Sequence, residues 1–409
     1  MKPKQKTLLS VITIILMFMS GISVFADDGT EEVEIFTSGD YTYSVNDGGA
    51  TLASYSNFTE TIITIPQEID GYPVKGLGDN LFYSKTDIDP TISKVIAEKI
   101  IIPASVEEVG TFAFYGCVNV KEYEVAEDST TFCDVDGVMF DKNKTLLMAY
   151  PLASEATEYT VADGVTFIDY GAFSNCKAIE KVVLPDSLET IGEWAFAKCT
   201  NLKGISLPDK ITKINRYTFA YCVNLTDIKW STSLETLEKG AFGGCTSLTE
   251  ITLPDSIIGI GQGVFSDCTG LTKVNLPEGL NTLNEGAFSG CTSLTEIELP
   301  SKLITIGEKA VGYNYNISKE LVKNANFKIH GKTGSTAQTY ANENLFTFVS
   351  TGAVETQPIV TEEAKSTVPN LNSEDNEGGS KALIIVLSVV GFVVIAGVTV
   401  VITKRKKKA

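Results

Sequence analysis

The hydrophobic positions between Leu184 and Glu298 recur every 23 residues. Each copy keeps Leu-Pro, two aliphatic residues three apart, Ala-Phe, Cys and Leu-x-x-Ile, with a few close variants. Five copies follow one another without a gap: LPDSLETIGEWAFAKCTNLKGIS, LPDKITKINRYTFAYCVNLTDIK, WSTSLETLEKGAFGGCTSLTEIT, LPDSIIGIGQGVFSDCTGLTKVN and LPEGLNTLNEGAFSGCTSLTEIE. A fixed period of this length predicts a solenoid with one coil per copy, because a single coil cannot bury its own hydrophobic side chains. The same register returns at residues 102–124 and 161–183 and begins again at Leu299.

Each coil is predicted to contain a short strand, a second short extended piece and one tight helical turn. In residues 248–253, which run Leu-Thr-Glu-Ile-Thr-Leu, the aliphatic residues are expected inside and the Glu and second Thr outside. The Ala-Phe pair is expected to start the helical turn and to direct its ring into the solenoid. The repeated phenylalanines are therefore predicted to form a buried ladder: Phe196, Phe219, Phe242, Phe265 and Phe288.

The spacing Leu-Pro-x-x-aliphatic-x-x-Ile-Gly-x-x-Ala-Phe-x-x-Cys-x-x-Leu-x-x-Ile resembles the BspA-like leucine-rich repeats of surface proteins, over about residues 36–350. The resemblance implies a right-handed leucine-rich-repeat solenoid, built mainly of short β-strands with short helical turns. It also implies binding instead of catalysis, through adhesion to host proteins or to other cells.

The two ends of the chain differ from the repeats. Residues 1–26 combine three lysines, an apolar stretch and Val-Phe-Ala, which is typical of a cleaved secretory signal. Residues 382–403 carry no charge, span about 33 Å as a helix and precede five basic residues, which predicts a transmembrane helix with its basic end in the cytoplasm. The predicted segments are a signal peptide (1–26), an N-terminal cap with a degenerate repeat (27–101), the solenoid (102–310) with a hairpin insertion (125–160), a C-terminal cap (311–350), a disordered linker (351–381), the transmembrane helix (382–403) and a cytoplasmic tail (404–409).

Seven of the eight cysteines occupy the same position in the repeat: Cys117, Cys176, Cys199, Cys222, Cys245, Cys268 and Cys291. Coils stack about 4.8 Å apart with parallel side chains, whereas a disulfide brings its Cβ atoms to about 3.8 Å. This register favours a column of buried free thiols over disulfides or a metal site, whose ligands would have to converge on one point. Cys133 lies outside the column.

Charge and residue counts limit the function. The chain has 51 acidic and 33 basic residues, and eight of the basic residues lie in the two end segments. Such an acidic surface repels nucleic acid. With His330 as the single histidine, histidine-based catalysis is nearly excluded, and the sequence contains no phosphate-binding loop and no metal motif. We expect no cofactor and no enzymatic activity, although a glycosidase-like carboxylate pair stays open. The Asp-rich run at residues 134–143 lacks the spacing of a calcium loop and is interpreted as turn chemistry.

Two surfaces are candidates for binding an extracellular protein or glycan. The outward strand positions would form a polar face, with a purely solvated face as the alternative; its candidates are Lys181, Asp227, Lys229, Glu250, Lys273, Asn275, Glu296 and Glu298. Three aromatic residues are interpreted as one repeat column just before the Ala-Phe position, with packing against the preceding turn as the alternative: Tyr170, Trp194 and Tyr217. The predicted function is cell-surface adhesion or host interaction. A cell-envelope scaffold without an adhesin role is the alternative.

Overall fold

The computed structural model describes residues 33–83 and 95–354. The expected signal peptide, most of the linker, the transmembrane helix and the basic tail lie outside these residues. The described residues all belong to one compact unit, which ends at Glu355. Across these residues, no helix has both the length and the apolar character needed to cross a membrane.

The described chain is a β-solenoid of about 13 turns with a leucine-rich-repeat fold and little helix. One side of the coils carries short parallel strands, which pair coil to coil in four separate groups. These groups are Ile62–Thr64, Lys99–Ile102 and Glu122–Val125; Glu158–Thr160, Lys181–Val183, Gly204–Ser206 and Asp227–Lys229; Glu250–Thr252 and Lys273–Asn275; and Glu296–Glu298, Lys328–Thr333 and Thr347–Ala353. Their central residues are mostly buried and their outer residues mostly exposed, as period-two alternation requires.

A second column of two-residue strands follows each Leu-Pro corner. Its members also pair in parallel: Phe167–Ile168 and Thr190–Ile191, followed by Lys213–Ile214, Thr236–Leu237, Gly259–Ile260, Thr282–Leu283 and Thr305–Ile306. After each of these strands the chain makes the tight turn that contains Ala-Phe. We refer to this side of the solenoid as the turn face.

The predicted phenylalanine ladder is confirmed. All five rings are buried, with at most 1% of each residue exposed. Neighbouring ring centroids lie 5.4, 5.2, 5.7 and 5.3 Å apart from Phe196 to Phe288, with interplanar angles of 14° or less. Phe173 and Tyr150 extend the stack at 4.8 and 4.7 Å.

The cysteine column is also confirmed, and all eight cysteines are free thiols. The seven column members are buried with at most 3% exposed, and burial raises the pKa of thiols such as Cys222. From Cys199 onward each thiol donates a hydrogen bond of 3.1 to 3.2 Å to the carbonyl oxygen of the phenylalanine 26 residues earlier. The column is therefore more than apolar filling, because it satisfies a buried main-chain acceptor in each coil.

At the end of the 125–160 segment, Glu158–Thr160 already belongs to the strand column. Before it lie three strands, of which the last two form the predicted hairpin: Phe132–Val135, Val138–Asp141 and Leu146–Ala149. The first two are antiparallel and meet at Asp136-Gly137, where both residues have positive φ. At the second turn the Asp141 carboxylate accepts bonds from the N–H groups of Thr145 and Leu146. This carboxylate thus serves the turn chemistry that the sequence indicated.

The insertion divides the hydrophobic core into two clusters. Val138 and Phe140 pack in the cluster of the later coils, whereas Met139, between them, packs in the cluster of the N-terminal half. The third strand repeats this division, with Leu147 on one side and Met148 on the other. Alternating side chains of one small sheet therefore form the wall between the two clusters.

The N-terminal part begins as an antiparallel sheet of Ile35–Ser38, Tyr41–Asn46 and Gly49–Tyr55. Its last strand pairs in parallel with Tyr72–Leu77, which also pairs with Glu68–Ile69 and with Glu108–Val109. At the other end lie a hairpin of Tyr313–Tyr315 and Leu321–Lys323 and the helix Thr336–Glu343, whose N-cap is Ser335. The strand ladder continues past residue 310 through Lys328–Thr333 and Thr347–Ala353.

Candidate partner-binding surfaces

The eight strand-face candidates are all exposed, but they lie on three different sheets. Lys181, Asp227 and Lys229 share the four-stranded sheet. The next three, Glu250, Lys273 and Asn275, share a two-stranded sheet, whereas Glu296 and Glu298 belong to the sheet that runs into the C-terminal strands. The structure therefore places them along one side of the solenoid without bringing them together at one point.

Most strand-face charges are paired with the neighbouring coil. Lys181 lies 3.6 Å from Glu158 and Lys273 lies 4.0 Å from Glu250, each partner being 23 residues away. The ring of His330 contacts Glu296 at 3.3 Å. Exposed pairs of this kind contribute about 0.2–1 kcal/mol each. The positive and negative charges of the strand face therefore nearly cancel. The face also carries none of the Trp, Tyr or Arg residues that dominate the binding energy of interfaces.

The turn face carries an aromatic pair. The rings of Trp194 and Tyr217, which occupy the same position in adjacent coils, stack with centroids 4.3 Å apart and an interplanar angle of 26°. Both residues are half-buried. The Tyr217 ring also covers Gly240 of the next coil, where it fills the space that a Cβ atom would occupy.

Tyr170 does not belong to this column, and its interpretation from the sequence was wrong. It lies one residue earlier in its coil than Trp194 and Tyr217 do in theirs, because Gly171 directly precedes its Ala-Phe pair. Its ring meets Phe112 at 5.9 Å and Phe167 at 6.0 Å, both edge-on. Tyr170 therefore lines a separate part of the turn face.

The position of Trp194 and Tyr217 has a left-handed backbone. Their φ angles are +60° and +55°, and the equivalent residues of the next three coils are glycines with φ near +60°. This conformation costs a side-chain-bearing residue roughly 1–2 kcal/mol relative to a right-handed one. Bulky residues at such positions are uncommon, and strain of this kind clusters at functional sites.

Two further residues that we did not select belong to the same surface. Arg216 precedes Tyr217, is 59% exposed in its side chain, and reaches Glu193 only at 4.0 Å. Tyr221 has φ of +60°, is 51% exposed and lies over Gly244. Arg216 could have been noticed as the one arginine before residue 405, and Tyr221 by comparing its column, which carries glycine at residues 244 and 290. We name Trp194, Arg216, Tyr217 and Tyr221 the turn-face patch.

Within residues 33–83 and 95–354, no three His, Cys, Asp or Glu side chains lie close enough together to hold a metal ion. The cysteine thiols form a line and donate to carbonyl oxygens, so they do not converge. The turn-face patch offers stacking surfaces and a cation, which suits recognition of a partner.

Comparison with known proteins agrees with this architecture. The BspA type leucine-rich repeat region matches in six copies over residues 91–143, 150–268 and 212–333. A leucine-rich repeat protein from Eubacterium ventriosum is 21% identical, with 67% of this chain and 92% of that chain covered and a TM-score of 0.53. A leucine-rich cell surface protein from Faecalibacterium prausnitzii is 23% identical, with 80% and 97% covered and a TM-score of 0.42. At such identities the likeness concerns the fold alone.

A search of curated proteins finds no match. The repeat match spans more than half of the chain and coincides with the coils that carry the phenylalanine and cysteine columns. The chain belongs to the family of BspA-type leucine-rich repeat proteins.

Proposed function

We propose that this chain is an extracellular recognition protein, anchored to the cell membrane by residues 382–403, that binds a protein or glycan partner through its turn-face patch. The observation that carries the proposal is the stacked Trp194–Tyr217 pair beside the exposed Arg216. Trp, Tyr and Arg are the residue types that most often dominate the binding energy of an interface. The proposed role is non-catalytic and uses no cofactor or metal.

The backbone supports a role for these side chains beyond stability. Glycine would occupy the positions of Trp194 and Tyr217 without strain, as it does in the following coils. For Tyr217, packing of its ring on Gly240 of the next coil offsets part of the free-energy cost of the left-handed backbone. The exposed ring of Tyr221 buries much less of itself, so partner contact is the simpler reason for its presence.

Charge distinguishes the patch from the rest of the surface. The two coils between residues 184 and 229 contain six basic and five acidic residues, in a chain whose net charge is −18. Arg216 and the exposed Lys239 lie on consecutive coils of the turn face. We propose that the contacted region of the partner is neutral or anionic, because complementary charge guides association.

Adhesion to a host or to another cell is the specific form of this role that we favour, in line with the BspA-type repeats. The length of the solenoid favours the alternative of an envelope scaffold. About 13 coils at a spacing of about 4.8 Å extend roughly 60 Å, so the molecule is short compared with an adhesin that must cross a thick wall. Protease treatment of intact cells separates the two, since an adhesin is cleaved and a scaffold beneath the wall is protected.

Binding of the full-length protein to a glycan array and to a panel of extracellular-matrix proteins tests the patch. The variant pair Trp194→Gly and Arg216→Ala should lose whatever binding the wild type shows. The matched control replaces Glu250 and Lys273 of the strand face by Ala, which removes one ion pair and leaves the net charge unchanged. Binding that survives the patch variants and fails in the control would assign the strand face instead.

A further inference from the structure

A cleft opens on the turn face where the regular column of turns is interrupted. The coil that contains the insertion reaches Tyr150 and then continues to Pro151 without an Ala-Phe turn of its own. The turn that begins at Phe112 therefore faces the turn at Gly171, and a Cβ on Gly171 would lie 3.1 Å from the Phe112 ring. The omitted turn leaves a small cavity of about 20 Å³, which is room for one group the size of a water molecule or an ammonium head and opens directly to solvent.

Six aromatic residues and one carboxyl group line this cleft, and three of the rings are not fully buried. These three rings belong to Phe112, Tyr115 and Tyr170, and Phe112 meets the other two edge-on at 5.6 and 5.9 Å. The carboxyl group is that of Asp169, which lies at the coil position where other coils carry glycine, asparagine or glutamate. At Gly192, one coil later, a Cβ would collide with the main chain of Tyr170.

Asp169 lacks the partner that equivalent residues have. Its carboxylate accepts one hydrogen bond of 2.8 Å, from the N–H of Tyr170, and within residues 33–83 and 95–354 it forms no ion pair. At the same coil position Glu238 pairs with Lys213 at 3.3 Å, and the amides of Asn215 and Asn284 donate to main-chain oxygens of the preceding coil. Desolvation raises the pKa of Asp169 to about 6, as expected for a carboxyl group with no cation beside it.

We propose that this cleft binds a primary ammonium group, held by the carboxylate of Asp169 and the rings of Phe112, Tyr115 and Tyr170. A carboxylate removed from water is stabilised by further hydrogen-bond donors and by a nearby positive charge, and an ammonium group supplies both. Aromatic rings around the cation add attraction through their electron-rich faces. The ammonium group belongs either to a lysine side chain of a bound protein or to a free small amine.

The net negative charge of the protein concentrates cations at its surface, which favours such a ligand over an anion. The turn-face patch and the cleft share no residue, so each proposal can be tested independently of the other.

Calorimetric titration of the full-length protein with n-butylammonium at pH 8 tests the cleft, with 1-butanol as the neutral analogue. We expect saturable binding of the ammonium compound and none of the alcohol. Asp169→Asn should weaken binding about 10-fold or more, and Phe112→Gly about 5-fold, since it removes a ring at a left-handed position that glycine tolerates. Glu238→Gln removes an equal charge from the same coil position and should leave binding unchanged.

Asp169→Asn should fold, because asparagine already occupies this coil position at residues 215 and 284. Tighter binding of Nα-acetyl-lysine amide than of n-butylammonium would assign the site to a lysine side chain, and the reverse order to a free amine. The proposal is overturned if n-butylammonium shows no saturable binding, if 1-butanol binds equally well, or if Glu238→Gln weakens binding as much as Asp169→Asn.

Discussion

The thiol of Cys222 lies 3.1 Å from the main-chain oxygen of Phe196 and donates a hydrogen bond to it. Both residues are fully buried, and the same contact recurs along the column. Cysteine is small enough for the crowded interior and still carries a donor, which alanine and valine lack. This relationship gives a physical reason for a cysteine in every regular coil.

Substitutions of Cys222 should distinguish the stability that its hydrogen bond contributes from the stability that its buried volume contributes. We expect Cys222→Ala to lower the free energy of unfolding by about 1–3 kcal/mol, because the oxygen of Phe196 loses its buried partner. Cys222→Ser keeps a donor and should lose less. Urea unfolding followed by circular dichroism measures both, and equal losses in the two variants would contradict a hydrogen-bonding role.

The thiols should be unreactive in the folded protein. Burial raises the pKa of Cys199, Cys222 and Cys245, so neither the thiolate nor access to reagent is present at neutral pH. Labelling with a thiol-specific chromogenic reagent should detect at most Cys133 in the native state and all eight cysteines after denaturation without reductant. A denatured, unreduced protein with no reactive thiols would instead indicate disulfides.

The phenylalanine ladder should dominate the stability of the later coils. Phe242 contacts Phe219, Phe265 and the edge of Trp230, so Phe242→Ala leaves a cavity between three rings. We expect a loss of about 3–5 kcal/mol. Amide hydrogen exchange in the adjacent coils provides the measurement, and a change below about 0.5 kcal/mol would be incompatible with an inward ring.

Gly240→Ala should disturb the turn-face patch from below. Gly240 has φ of +63°, and a Cβ there would enter the space of the Tyr217 ring. We expect a loss of about 1–3 kcal/mol and a change in Trp194 fluorescence, because Tyr217 stacks on it. Gly259→Ala is the control, since its Cβ would meet nothing closer than 3.9 Å. Similar losses of stability in both variants would mean that the Tyr217 ring does not pack over Gly240.

Asp169 should make stability depend on pH. Its pKa is raised from 3.8 to about 6 in the folded protein, so the folded state holds the proton more tightly than the unfolded chain does. Stability is then greatest below about pH 4, falls between about pH 4 and pH 6, and stays lower above. Asp169→Asn removes this cost and should gain up to about 3 kcal/mol at pH 7, with no gain at pH 4. No pH dependence in the difference between the two proteins would refute the burial of this carboxylate.

The repeat period was enough to predict the elements that every coil shares. Phe242 and Cys245 face inward, and Glu250 faces outward, because the same residue type returns at the same place in each copy. Sequence reasoning failed where copies differ. It missed the left-handed backbone of Trp194, although the glycines of later copies indicated it, and it assigned Tyr170 to the wrong column by one residue.

The cleft at Asp169 could not be predicted from the period. It depends on a turn that the insertion omits, and a repeat pattern describes the coils that are present. The division of the core by Met139 and Phe140 is of the same kind, since alternation in a strand does not tell which cluster lies on each side.

The ion pairs that join one coil to the next have a consequence for how such a gene changes. Lys203 pairs with Glu180, and Lys273 with Glu250, at a separation of one full period. Unequal recombination that duplicates or deletes a whole repeat keeps the remaining repeats in the same register. Insertion of a single codon instead shifts the register of its repeat relative to the neighbouring coils. A change in the number of coils by whole units of 23 residues therefore keeps the spacing that these ion pairs require.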